Sequence, residues 1–161
     1  MKRLGRALVL VLIGGTLYFG IEAVYKGLTG GGTLHWSMGL IGGVLFLAIG
    51  AINELAPRCM PLARQAILGG ALITGVELAA GLVLNVWLDL GIWDYSALPL
   101  NLWGQISLPF SLVWVLLSAV AIMLDDWLRH WLWGAERPRS LALALRKRGI
   151  GAAARKAALV E

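Results

Sequence analysis

Residues 66–90 read AILGGALITGVELAAGLVLNVWLDL, a run whose charged side chains are Glu77 and Asp89. About 20 such residues in a helix cross the hydrocarbon core of a bilayer. The apolar residues fall on every face instead of along one stripe, which is the pattern of a membrane span and not of a soluble amphipathic helix. Three other runs share this character: Ala7 to Tyr25, Leu34 to Ile52 and Gln105 to Leu124. The expected fold is an all-α integral membrane protein with four transmembrane helices, at about 7–25, 34–52, 66–90 and 105–124, forming one domain over 1–133. A basic tail covers 134–161. Composition agrees, because 59% hydrophobic and 14% charged residues depart far from the half-apolar, quarter-charged balance of soluble domains.

Orientation follows from charge. Lys2, Arg3 and Arg6 precede the first run, Arg58 and Arg64 lie between the second and third, and Arg129 begins a basic series that continues into the tail; of 14 Lys and Arg residues, Lys26 alone falls on the other side. Positively charged flanks resist translocation, so both termini are expected in the cytoplasm of a multi-pass protein of the plasma membrane. No small-x-small cleavage site follows the first run, which is read as a retained helix. The net charge of +5 then belongs to a face against anionic lipid and not to a nucleic-acid site. Trp87, Trp93, Tyr95 and Trp103 are expected in the outer interfacial belt, and Trp127, Trp131 and Trp133 in the inner one. Cys59 is the single cysteine and has no metal-ligand company, so neither a disulfide, a metal nor a cofactor is expected.

Small or polar residues recur at helical spacing: Gly15, Tyr18 and Glu22; Gly39, Gly43, Phe46, Gly50 and Glu54; Gly70, Thr74, Glu77, Gly81 and Asn85; Ser107, Ser111, Trp114 and Ser118. Such seams let helices approach closely in lipid, and the four are expected to face one another. Pro109, placed inside a helix that starts at Gln105, predicts a kink and a freed Gln105 carbonyl that must meet other protein groups or water. The tail, with Arg146, Lys147 and Arg148, is either a basic amphipathic helix on the inner leaflet or a solvated segment.

An ionisable group inside a bilayer costs about 2.5–3.5 kcal/mol on insertion scales, so each one calls for a reason. Glu77, near the middle of the third run, is the sharpest case, and is stable only with a partner, with water or with a bound proton. It is read either as a site for a proton, cation or polar substrate, or as a protonated carboxyl holding helices together. Asn85 lies two turns beyond on the same face, with Gly81 between them leaving room for a small ligand or water. Glu22 lies toward the outer end of the first helix, and Glu54 at the inner end of the second can pair with Arg58 at helical spacing. The connector Trp93-Asp94-Tyr95-Ser96, with Asn101, Gly104 and Gln105, is either an Asx-turn architecture or an outer gate over the seam.

Glu22, Glu54, Glu77 with Gly81, the Trp93-Asp94-Tyr95-Ser96 block, Asn101, Gly104, Ile106 and Trp114 together resemble the pattern of the small membrane proteins described as putative ABC-transporter type IV, or ABC-transporter permease. The resemblance runs from about Gly20 to Trp114, and departs where Ser37-Met38-Gly39-Leu40-Ile41-Gly42 stands in place of the proline and tyrosine usual in that family's second helix. It implies transport without naming a substrate. The chain holds no Gly-x-x-x-x-Gly-Lys-Ser/Thr phosphate loop, so ATP-driven work would need a separate ATPase subunit. Four helices also make a thin wall, which points to a homodimer or a partner subunit. The expected function is a small transport protein, or the membrane subunit of a transporter, with intramembrane carboxylates facing a polar seam. The alternatives are a non-catalytic membrane scaffold and a membrane-embedded enzyme acting on a lipid or isoprenoid, for which no catalytic residue is assigned.

Overall fold

The computed structural model describes residues 2–30, 33–55 and 60–134. Arg58, Cys59 and the basic tail beyond Gly134 lie outside the described residues. The described residues are mostly helical, 78%. Its helices are α1 (Lys2–Thr29), α2 (Trp36–Leu55), α3 (Leu62–Gly81), which continues as a π-helical turn over Leu82–Trp87, and α4 (Leu108–Trp133). Stretches Arg3–Thr29, Leu62–Trp87 and Leu108–Trp133 are long and apolar enough to cross a membrane, while the apolar part of α2, Trp36–Ile52, is shorter. A multi-pass membrane protein results, with leucine, valine and isoleucine exposed along the helices, as lipid contact requires.

Most helices run beyond the expected spans, as at Lys2, Thr29, Leu55, Leu62 and Trp133, but the two ends that flank the α3–α4 connection fall short of them. Helix α4 starts at Leu108 and not at Gln105, because Ser107 is extended (φ −144°) and Pro109 falls in the first turn. There its missing N–H has no helical acceptor to lose. Pro109 thus opens the helix instead of kinking it, and the Gln105 carbonyl accepts the Trp93 indole N–H at 3.0 Å. Helix α3 stops at Trp87, short of Leu90, after widening at Leu82–Trp87. The Leu88 N–H reaches back to the Val83 carbonyl at 2.9 Å, and the chain then leaves the helix through Asp89 and Gly91, at φ +52° and +55°.

Helix α1 packs on α2 and α3 on α4, and contact of α2 with α4 joins the two pairs. The small-residue seams lie at these contacts. A Cβ on Gly15 would stand 2.5 Å from the Gly39 carbonyl oxygen, one on Gly43 would strike the Val11 carbonyl, and one on Gly70 would lie 2.9 Å from the backbone N and Cα of Val115. Leu45, Ile49, Ile73, Trp114 and Ile122 form the central core.

The start of α1 and the end of α4 lie at the same end of the bundle, where the Arg6 guanidinium sits 5.4 Å over the Trp133 ring. At that end Arg129 bridges Asp125 at 2.6 Å and Glu54 at 2.7 Å. The Asp125 carboxylate, 0% exposed, is pressed against Gly50. Arg129 thus holds Glu54 across helices, while the expected partner Arg58 lies outside the described residues. Trp36, Trp87, Trp103, Trp127 and Trp131 are exposed near the helix ends, as interfacial belts require. Trp93 departs from that expectation, being buried.

Candidate functional site

The connector between α3 and α4 is tightly built. The Asp94 Oδ1 accepts the Ser96 N–H at 2.8 Å and its hydroxyl at 2.6 Å, an Asx-turn that holds this exposed carboxyl below the usual aspartate range. Asn101 donates to the Ser96 and Leu98 carbonyls at 3.1 and 2.8 Å and accepts the Gly104 N–H at 3.2 Å. A two-residue strand β1 (Asn101–Leu102) pairs antiparallel with β2 (Ile106–Ser107). Their turn closes from the Gln105 N–H to the Leu102 carbonyl at 3.0 Å, with Trp103 and Gly104 left-handed at φ +53° and +69°. Glycine is required at 104, because a Cβ would also meet the Ser96 hydroxyl and the Asp94 carboxylate at 2.5 and 2.6 Å.

Asn85 fastens this connector to α3. Its amide donates to the Trp93 carbonyl and to Gln105 Oε1, both at 3.0 Å, and its carbonyl accepts the Ile92 N–H at 2.7 Å. The hollow above Gly81 is filled by the Gln105 side chain, which a Cβ there would strike. The space between Glu77 and Asn85, open by helical spacing alone, is thus occupied by the protein itself.

Glu77 is 9% exposed. Its Oε1 accepts the Tyr95 hydroxyl at 2.9 Å and its Oε2 the Trp114 indole N–H at 2.7 Å. Tyr95 in turn stacks on Phe110, with ring centres 4.5 Å apart and planes 15° apart. The carboxyl that costs most in the membrane is thereby given two donors from two elements, and fixes both rings.

Those rings line a recess of about 450 Å³ between α1, the connector and α4. Glu22, Lys26, Tyr25, Trp93, Tyr95 and Phe110 are among its walls. Lys26 forms an ion pair with Glu22 at 2.8 Å and donates to the Thr33 and Ile92 carbonyls at 2.6 and 3.0 Å, tying α1 to the connector. A second crevice of about 230 Å³ between α1, α2 and α4 is lined by apolar residues such as Leu17, Phe46 and Leu124.

The candidate residues therefore divide. Glu22, Trp93, Asp94 and Tyr95 line the recess; Asn85, Ser96, Asn101 and Gln105 brace the connector above it; Glu77 stands behind Tyr95 and Trp114; and Glu54 lies at the opposite end with Arg129. Lys26, Tyr25 and Phe110 join the site from outside the residues that sequence reasoning singles out, although Glu22 and Lys26 show a readable i, i+4 spacing. Among the described residues no group of three or more His, Cys, Asp or Glu side chains is placed to hold a metal ion.

One family model, described as Putative ABC-transporter type IV, matches residues 16–137. No curated protein and no solved structure matches the chain.

Proposed function

The chain belongs to the Putative ABC-transporter type IV family, and from that premise we propose that it is the membrane component of a transporter whose ligand site is the recess between α1, the connector and α4. The observation that carries this reading is the recess itself. Its volume of about 450 Å³ lies in the range of about 300–1,000 Å³ typical of small-molecule sites, and the Glu22–Lys26 pair is set in a wall made mostly of aliphatic and aromatic side chains. In this reading the basic flanks keep both termini in the cytoplasm, so the recess opens toward the outer face of the plasma membrane. Four helices enclose too little for a pathway alone, so the working unit is a homodimer or a complex with other subunits. If ATP drives it, a separate ATPase subunit supplies the phosphate loop.

Glu77 acts here as a positioning residue that holds Tyr95 and Trp114 in the wall. A scaffold role is the second reading, favoured by the saturation of both Glu77 oxygens by protein donors. A thermal-stabilisation screen of small solutes on the purified full chain tests the choice. Val113, 43% exposed, also lines the recess, and Val113→Trp narrows it. The transport reading expects solutes that stabilise the wild type and fail on Val113→Trp. Stabilisation by no solute, or by the same solutes equally in both proteins, overturns it in favour of the scaffold.

A further inference from the structure

Resting on the recess as ligand site, we infer that its ligand carries an alkylated ammonium group, bound between the Glu22 carboxylate and a wall of aromatic rings. The donors left free in the recess decide what it can bind. Lys26, the cation in the recess, has three ammonium protons, matched by its three acceptors: Glu22, the Thr33 carbonyl and the Ile92 carbonyl. Trp93 spends its indole N–H on the Gln105 carbonyl, and Tyr95 and Trp114 spend theirs on Glu77. An anion or a sugar entering the recess would have to break one of these bonds to reach any of those four donors, which leaves it the hydroxyls of Tyr18 and Tyr25 on the wall. What those rings offer instead is carbon surface and π-electron density, extended by Phe110, which contacts Tyr95, Tyr25 and Trp114 with ring centres 4.5, 5.9 and 6.2 Å apart.

Charge points the same way. Glu22 and Asp94 line the recess against the single Lys26, so the local field favours a cation. A metal ion or a bare ammonium would need several oxygen ligands or acceptors, and a wall made mostly of aliphatic and aromatic side chains supplies few. An ammonium covered with methyl or ethyl groups needs none: its charge is spread over an apolar surface that aromatic faces and one carboxylate attract. The group can belong to a free solute or to a lipid headgroup.

The test is titration of the full chain, in maltoside micelles, with choline and with its neutral isostere 3,3-dimethylbutan-1-ol, read by tryptophan fluorescence and by calorimetry. Saturable choline binding is expected, with the alcohol at least about tenfold weaker, because the two differ in charge and hardly in shape. Glu22→Gln should weaken choline about tenfold or more, since it removes the carboxylate and leaves Lys26 as an unpaired positive charge. Tyr25→Leu, at a rim position already 46% exposed and so tolerant of change, should weaken it about two- to fivefold. Repeating the titration in phosphatidylcholine and phosphatidylglycerol nanodiscs identifies the source: suppression in the first alone marks a headgroup site, and equal binding in both marks a free solute. No saturable choline binding, an equal affinity for the alcohol, or choline binding unchanged in both variants overturns the inference. Recess-dependent binding of some neutral or anionic solute, lost in Val113→Trp, would leave the transport reading standing while this one falls.

Discussion

Gly70→Ala probes the helix contact that holds the site in place. The new methyl would lie 2.9 Å from both the backbone N and Cα of Val115, and nearer still to its Cγ2, where carbon atoms in contact prefer about 3.5–4.0 Å. A side chain can rotate away, but the α4 backbone cannot, so α3 and α4 must part. Gly75 on the same helix has nothing within 4 Å of its Cβ position, and Gly75→Ala serves as the control. Both changes gain the same helix propensity, about 1 kcal/mol, which cancels in their difference. What remains is overpacking, about 1–3 kcal/mol, and the backbone contact places it in the upper half, so Gly70→Ala should be about 2–3 kcal/mol less stable than Gly75→Ala. Reversible unfolding in mixed micelles of rising dodecyl sulfate fraction measures both. Equal stability of the two variants would refute the close α3–α4 contact.

At the opposite end, Arg129→Met should cost about 3–5 kcal/mol, because it strands the buried Asp125 carboxylate, whereas Glu54→Gln, at a side chain 56% exposed, should cost under about 1 kcal/mol; the same unfolding assay compares them. Cysteines placed singly at Ala97 and Ser140, with Cys59 replaced, should react with an impermeant thiol reagent in intact cells at position 97 only. Since the Ser96 bonds lower the Asp94 carboxyl from its ordinary value of 3.8, its support of the connector is full above that value and is lost as pH falls through the depressed one. The Ser96 amide resonance should accordingly titrate with a midpoint below 3.8, and Asp94→Asn should abolish the titration while leaving the Asx-turn in place.

The helices were legible because a bilayer leaves the backbone no other way to satisfy itself, so apolar length alone announces them. Their ends were less so. Where α4 begins depends on Ser107 being drawn into a strand with Asn101, and the π-helical widening at Leu82–Trp87 leaves no pattern in the hydropathy. The site was legible as a set of residues and not as a geometry. Helical spacing places Gly81 between Glu77 and Asn85, but cannot reveal that Gln105, twenty residues beyond Asn85, folds back into that gap. Counted for topology alone, Lys26 is one charge among many, although its spacing from Glu22 also allows the pair to be read. The same holds for Arg129, whose i, i+4 bond to Asp125 a count of topological charges does not show. Trp93, aromatic and near a helix end, matched an interfacial anchor until its indole was seen to serve the Gln105 carbonyl.

The most direct measurement of the central claim is an experimental density map of the full chain in phosphatidylglycerol nanodiscs with saturating choline, compared with one recorded without it. The account predicts added density in the recess, between the Glu22 carboxylate and the Tyr25 and Phe110 rings, with the Glu77 bonds to Tyr95 and Trp114 intact. Collapse of α1 onto Phe110 with no recess between them, or a lipid acyl chain filling that space in both maps, would contradict it.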